Sequence, residues 1–374
     1  MASRKIPDIT RLDDTARILL VRLFALGDIV LTLPLVRRLR DAFPRAWIGY
    51  LCRGSFAGAL RGETGLDEVL VTGEGASGWL STVRDLRRRR ISLAIDLLSS
   101  PRSAVITGFS GAAVRIGFET GRHDWCFDRL LPRSIDRDGE RLMCYTLDSN
   151  LEYAAMLGVG DGSPVVRGKG DADPYPVYGF PAADPGGSGA EEILSTAGEA
   201  HRGYFGLVTG AKYGSKSWPA ERFAELASAI SLETGMRPVI VWGPGEEDSA
   251  RRMAAAVPGS LLPPPTGIPE LGALVSRMRM VVGVDSGPKH IAVLLGVPTV
   301  TLFGPTDPVI WDPLTERHRA VSRRVGCAEG CREKECADNI CMKEITVEEV
   351  MEEVRSLPGI RGSGQAGRKT GGGA

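Results

Sequence analysis

The sequence has no excess charge of either sign: Lys+Arg and Asp+Glu both number 46 in 374 residues. A general nucleic-acid binder needs a positive field to displace counterions, so no nucleic-acid partner is expected. Only a local basic patch remains compatible with the zero sum. A secretory leader is also missing from the reading, because MASRKIPDIT is charged but no apolar core follows it. No stretch reads as a membrane span. Residues 18–36 are apolar but include Arg22, Gly27, Asp28 and Pro34. Each of those charges would cost roughly 2.5–3.5 kcal/mol at the centre of a bilayer. A cytoplasmic location is the resulting expectation. Seven cysteines are too few for a disulfide scaffold in a chain of this length. The sequence lacks G-x-G-x-x-G after a strand, which disfavours a nicotinamide dehydrogenase. It also lacks G-x-x-x-x-G-K-[ST], which disfavours a P-loop ATPase.

What it has in quantity is glycine, at 47 residues, against roughly 26 at average usage. Apolar runs alternate with amphipathic ones. In the first block ARILLVRL, AWIGYLC, ISLAIDLL and VRIGF read as strands. IVLTLPLVRRLRDAF, VRDLRRRR and SNLEYAAMLGV read as helices, with FALGD as a loop after the first strand. In the second block YFGLVTG, PVIVWGP, MVVGVD and TVTLFG read as strands. Helices follow at 220–232, GEEDSARRMAAAV, LGALVSRM, SGPKHIAVLLG and ITVEEVMEEVRSL. Strands alternating with helices indicate parallel sheets covered on both faces. The expected fold is α/β, with two Rossmann-like, doubly wound domains facing a cleft. The expected boundaries are residues 16–165 and 203–355, with a Pro/Gly-rich connector at 166–202 and a low-complexity, disordered tail at 359–374.

Ligands of such sheets bind beyond the carboxyl ends of the strands, so the chemistry is sought in the loops there. Asp28 follows the first strand. It can cap the next helix or serve as a general base for an attacking hydroxyl, and the two roles can coexist. The loop at 210–219, GAKYGSKSWP, offers Lys212 and Lys216 to a diphosphate. The alternative is a solvated surface loop in which Trp218-Pro219 packs and starts a helix. Glu246, in GPGEE, can bond ribose hydroxyls or stabilise a helix start. VDSGPKH is the most informative loop. Gly287 permits close approach, Pro288 suits the first helical turn, and Ser286, Lys289 and His290 add donors at a helix N-terminus. Such a loop can neutralise a departing nucleoside diphosphate, or it is an ordinary capped helix start with His290 satisfied by a neighbour. FGPTDP, after the next strand, can close the same pocket.

Cys327, Cys331, Cys336 and Cys341 form a C-x3-C-x4-C-x4-C cluster. This is looser than the paired C-x2-C knuckles of structural zinc. A small buried or redox-sensitive thiol cluster is expected, with metal binding as the alternative.

Together, RILLVRLFALGDIVLTLPLVRRLRDAFP, GAKYGSKSWPAERFAELA, VIVWGPGEE and VVGVDSGPKHIAVLLGVPTVTLFGPTDP resemble the bacterial lipopolysaccharide heptosyltransferase family, glycosyltransferase family 9. The ending CREKECADNICMKEITVEEV is similar to the tail of the heptosyltransferase II branch. The resemblance spans most of residues 16–355. It implies a GT-B fold with an N-terminal acceptor domain and a C-terminal nucleotide-sugar domain, without cofactor or catalytic metal. It implies inverting transfer of heptose from ADP-L-glycero-D-manno-heptose to a lipopolysaccharide inner-core acceptor. Asp28 matches the family's base, and Lys216 its phosphate-binding lysine. Asp285, Ser286, Gly287 and His290 match its D-[ST]-G-x-x-H. Lys289 stands where many members carry methionine or leucine. Arg53, Arg115 and Arg122 are the candidates for phosphorylated acceptor sugars or anionic lipid heads, with Arg102 and the 87–90 arginine run beside them, although a solvated helix face explains that run equally well. An acceptor on a membrane would bring peripheral contact with the cytoplasmic face of the inner membrane. The rival readings are a family member using another nucleotide sugar, an epimerase or hydrolase on a similar fold, and a noncatalytic nucleotide-sugar binder.

Overall fold

RILLV has four of its five residues buried, which fits a strand covered on both faces by apolar neighbours. It is the first element, β1 (Arg17–Val21), of a computed structural model of the chain. The structure describes residues 12, 15–131, 135–137, 140–142, 144–156, 158–159, 177–180, 190–195, 202–210, 213–323, 325–327, 331 and 333–360. By its contacts the chain divides into two units. The first is Met1–Arg167 with Phe180–Asp184 and Gly267–Pro269. The second is Gly168–Gly179, Pro185–Thr266 and Glu270–Ala374.

In the first unit β1 is followed by α1 (Leu26–Val30), α2 (Leu33–Ala42), β2 (Trp47–Cys52), β3 (Glu68–Val71), α3 (Gly75–Arg88) and β4 (Leu93–Asp96). Then come α4 (Pro101–Phe109), β5 (Val114–Phe118), β6 (Arg129–Leu131), the hairpin strands β7 (Ile135–Arg137) and β8 (Glu140–Leu142), and α5 (Thr146–Met156). The main sheet runs β3-β2-β1-β4-β5-β6, with every pair parallel. That is the 3-2-1-4-5-6 order of a Rossmann sheet, whose strand order reverses between β1 and β4. Leu19, Val21, Leu51, Leu86, Ala94 and Ile106 pack into one of its cores.

The expected single helix from Ile29 to Phe43 is two helices. α1 begins earlier, at Leu26, so the Leu26-Gly27-Asp28 triplet is helical rather than a loop. Pro34 stands at the start of α2. It has no N–H for a carbonyl four residues back, and its ring clashes there, so the helix restarts. α4 was not anticipated. Its apolar run is short, and it is started by Pro101 and a capping box between Ser100 and Ser103.

The second unit contains α6 (Ala190–Ser195), β9 (Tyr204–Val208), α7 (Ala220–Thr234), β10 (Arg237–Val241), α8 (Glu247–Ala256) and most of α9 (Ile268–Ser276). It continues with β11 (Met278–Val284), α10 (Gly287–Leu294), β12 (Thr299–Phe303), α11 (Pro308–Trp311), β13 (His318–Ser322), α12 (Ile340–Lys343) and α13 (Val347–Ser356). Its sheet runs β10-β9-β11-β12-β13, again all parallel. The order reverses between β9 and β11. Phe205, Phe223, Met280, Leu302, Met342 and Val350 are among its buried core. Gly283 in β11 has a specific reason: a Cβ there would stand 2.1 Å from the Val208 carbonyl oxygen of the neighbouring strand. Strands β3, β6 and β13 of the two main sheets were missed in the sequence. All are short edge strands of three to five residues, too brief for an apolar run to stand out.

Candidate active site

In the first unit the reversal of strand order falls between β1 and β4, and their register pairs Val21 with Asp96. Asp28 lies in the first turn of α1. The N-cap position is Ala25, and no side chain caps the helix, so Asp28 is not spent on capping. Its carboxylate is instead paired with Arg22. The Arg22 guanidinium also donates to the Leu97 carbonyl and, through Nε at 3.2 Å, to the Phe24 carbonyl. Arg22 therefore ties the loop after β1 to the loop after β4. Asp28 keeps 19% of its side chain exposed, which leaves it reachable by a substrate hydroxyl.

Asp96 was not singled out in the sequence. It ends β4 and accepts from the backbone N–H groups of Leu98 at 2.9 Å and Ser99 at 2.8 Å. Burial pushes its carboxyl up to about 6, against the opposing pull of those N–H groups, Ser103 and Arg22. The signal available in the sequence was a carboxylate closing an otherwise apolar strand.

The acceptor-side arginines are placed differently from one another. Arg53 lies over the Phe24 ring at 5.4 Å. Arg122 is exposed. Arg115, expected to bind acceptor, has its fork on Asp128, at 2.9 Å from Nε and 2.8 Å from Nη2, and its remaining Nη1 on the Gly108 carbonyl at 2.9 Å. A bidentate pair of this kind is a clamp, so Arg115 holds β5 to the segment before β6.

In the second unit the reversal falls between β9 and β11, and the loops after these two strands meet. Lys216 closes a short 3-10 turn, Gly214–Lys216. Its Nζ is 2.6 Å from Asp285 Oδ2. Thr306, in the loop after β12, donates to the same oxygen at 3.0 Å. His290 Nε2 stands 3.6 Å from Asp285 Oδ1. Asp285 is 6% exposed. Burial alone would raise its carboxyl. His290, Lys216 and Lys289 more than offset this and hold it well below the usual carboxylate range. Asp285 is thus a buried anion that orients two donors from different elements.

Ser286 is the N-cap residue of α10 by position, yet its side chain makes no cap bond. Its Oγ is buried and finds no hydrogen-bond partner among the described residues. An orphaned buried hydroxyl in a native fold calls for a partner from outside. It sits where the first N–H groups of α10, including that of Gly287, also lack intrahelical partners. Glu246 folds over Gly210, where a Cβ would stand 2.3 Å from its Oε1, and accepts from the Gly243 N–H at 2.9 Å. A recess of about 430 Å³ lies beside it, lined by Trp242, Gly243, Pro244, Gly245, Pro265 and Thr266, with Glu247 and Asp248.

Lys289 does not join this group. It is 2% exposed. Its ammonium donates to the Trp311 carbonyl, stands 3.3 Å from Asp312 Oδ2 and lies over the Phe303 ring. The expected phosphate contact is replaced by a buried internal pair, because α10 turns this side chain toward α11. Trp218 packs edge-on to Phe223 and donates to the Ile345 carbonyl at 3.1 Å, so the Trp-Pro pair is structural. Lys212 lies outside the described residues.

All four clustered cysteines are free thiols. Burial pushes the Cys341 thiol up, and Cys327, Cys331 and Cys336 are near enough to add to the shift. Among the described residues no group of three or more His, Cys, Asp or Glu is arranged to hold a metal ion. Among them, too, no helix is long and apolar enough to cross a membrane.

Two Rossmann-type parallel sheets, each with polar side chains gathered where its strand order reverses, define the GT-B class of glycosyl-transfer folds. A solved structure entitled E. coli ADP-heptose lps heptosyltransferase II has this fold. It is 20% identical to this chain, covers 91% of it and 98% of its own length, and superposes with a TM-score of 0.70. Residues 180–341 match the family model described as glycosyltransferase family 9 (heptosyltransferase). That segment is therefore similar to a glycosyltransferase family 9 domain. Lipopolysaccharide heptosyltransferase 3 of Escherichia coli K12 is 26% identical over 302 residues, 78% of this chain and 83% of that protein. Lipopolysaccharide heptosyltransferase 2 of Salmonella typhimurium LT2 is 25% identical over 346 residues, 88% of this chain and 95% of that protein.

Proposed function

We propose that this glycosyltransferase moves a heptose, with inversion, from ADP-L-glycero-D-manno-heptose to the inner core of a lipopolysaccharide acceptor at the cytoplasmic face of the inner membrane. The observation that carries the reading is the orphaned Ser286 hydroxyl at the N-terminus of α10, in the residue that follows the Lys216–Asp285 pair. A hydroxyl, free helix N–H groups and an ammonium together suit a diphosphate. The names of the relatives support heptose and lipopolysaccharide, and the ADP-linked donor, its configuration and the inner core follow from the resemblance.

In this mechanism the acceptor hydroxyl gives its proton to Asp28, and the oxygen attacks the anomeric carbon. The new C–O bond forms as the bond from that carbon to the diphosphate breaks on the opposite face. The negative charge gained by the departing nucleoside diphosphate is met by Lys216, Ser286 and the N–H of Gly287. Asp285 acts through Lys216 and His290 and does not touch the donor. The nucleoside occupies the recess beside Trp242, with Glu246 near the ribose. No metal takes part, so transfer is expected to persist in EDTA.

The test is a transfer assay with a panel of nucleotide sugars, including ADP-heptose, on truncated lipopolysaccharide acceptors, read by mass. A heptose-sized gain on an inner-core acceptor supports the whole reading. A gain from another donor keeps the chemistry and removes the sugar. Sugar released or isomerised without any acceptor overturns transfer.

A further inference from the structure

A second surface is independent of both strand-order reversals. On α3, Leu80, Arg84, Arg87 and Arg88 are spaced four, seven and eight residues from the first, so they share one face of the helix. All four are exposed. Arg87 Nε donates to the Phe109 carbonyl at 2.9 Å, which joins this face to the end of α4. Phe109 in turn meets Trp125 edge-on, with ring centroids 6.4 Å apart. Trp125 sits in a 3-10 turn at Asp124–Cys126, three residues after the exposed Arg122. Leu80 and Trp125 are each 67% exposed and Phe109 is 47% exposed.

Large apolar side chains this open to water, joined in one patch, mark a contact surface. The charge selects its partner. The only acids on α3, α4 and the 3-10 turn are Asp85 and Asp124. Asp85 is bound by Arg89 Nε at 3.0 Å. Asp124 accepts from Thr120 and Gly121 N–H groups at 2.9 and 3.1 Å. Among the described residues Arg84, Arg88 and Arg122 meet no carboxylate. Tryptophan, phenylalanine and leucine amid unneutralised arginines suit the interface of an anionic bilayer. There aromatic rings sit at headgroup level and guanidinium groups meet phosphates.

We infer that the face formed by α3, the end of α4 and the turn at Trp125 docks the first unit on an anionic lipid surface. Its use rests on the proposed lipid-linked acceptor, but the binding itself does not. Docking there would confine the enzyme to the plane that carries such an acceptor.

The experiment is co-sedimentation of the full chain with phosphatidylcholine vesicles made with and without phosphatidylglycerol, at low and high salt. The expected result is binding to the anionic vesicles only, weakened by salt. Two variants should each lower the partition about tenfold or more: one with Phe109→Ser and Trp125→Ser, the other with Arg84→Glu, Arg87→Glu and Arg88→Glu. Both should keep their circular dichroism, and the Phe109→Ser and Trp125→Ser variant should also keep its transfer to a detergent-dispersed acceptor. Vesicle binding in a protein that transfers nothing still supports the surface, and then only the proposed reaction fails. Absence of wild-type binding, or binding that both variants retain, overturns the inference. So does a wild-type dimer in sedimentation velocity that Trp125→Ser dissolves, because the patch would then belong to a second copy.

Discussion

Asp28 and Asp285 both follow a strand that borders the reversal of strand order in its sheet, yet they are different kinds of carboxylate. Asp28 has one cationic partner, Arg22, and retains a fifth of its surface. Asp285 is almost fully buried and is held by Lys216, Thr306 and His290. The first is open enough to meet a substrate hydroxyl, as the proposed base must. The second stays ionised through ordinary pH and serves by fixing its neighbours. Asp96, beside Asp28's loop, is a third case: it is buried with backbone donors but without a contacting cation, and its carboxyl is raised instead of lowered. Place in the fold makes these residues candidates, and partner count and burial then assign the work.

The sharpest way to break the comparison is Asp28→Ala. General-base catalysis is worth about 100- to 10,000-fold, so transfer should fall by at least about 100-fold while calorimetry still detects donor binding. Near-normal turnover at saturating acceptor would remove Asp28 from the mechanism.

Asp96 gives the next largest effect, on stability. Its folded pKa of about 6 lies above the ordinary carboxylate value of 3.8, so the native state binds the proton more tightly than the unfolded chain. Its contribution is therefore full below about pH 4 and is lost as pH rises through 6. The difference amounts to about 3 kcal/mol. Asp96→Asn should flatten that part of the profile, seen as urea midpoints that no longer fall between pH 4 and 7 relative to wild type. An unchanged slope would mean that Asp96 is solvated like a surface acid.

Lys216→Ala removes a charged hydrogen bond to the donor, worth about 1.5–3 kcal/mol, and also leaves Asp285 with one cation fewer. Nucleoside diphosphate affinity should drop roughly 10- to 100-fold, and the thermal midpoint should fall as well. Intact affinity by calorimetry would leave Lys216 a purely structural partner of Asp285. Ser286→Ala is the smallest change. It should cost the donor about 1 kcal/mol, one neutral hydrogen bond, and leave the stability of the ligand-free protein untouched, because the hydroxyl has no internal partner. A loss of stability without a loss of affinity would reverse that assignment.

Much of this was legible beforehand. The buried strands announce themselves as apolar runs, and loops at their carboxyl ends are where a doubly wound fold binds ligands. Asp28, Lys216, Ser286 and His290 were picked out as candidates that way. Lys289 was read in the wrong direction, because a helix N-terminus in sequence does not show which side of the helix meets α11. Arg115 looked like any exposed arginine until β5 and the segment before β6 brought Asp128 to it. Asp96 was overlooked because its meaning lies in its burial, not in its spacing.

By itself the sequence determined that strands and helices alternate in two blocks, because periodicity and turn residues are local properties of the chain. Tertiary structure decided what the loops do. Strand order in the second sheet brings Lys216 to Asp285 across 69 residues of chain. Burial fixes which carboxylates stay charged, and it arises only when distant apolar segments pack together and exclude water.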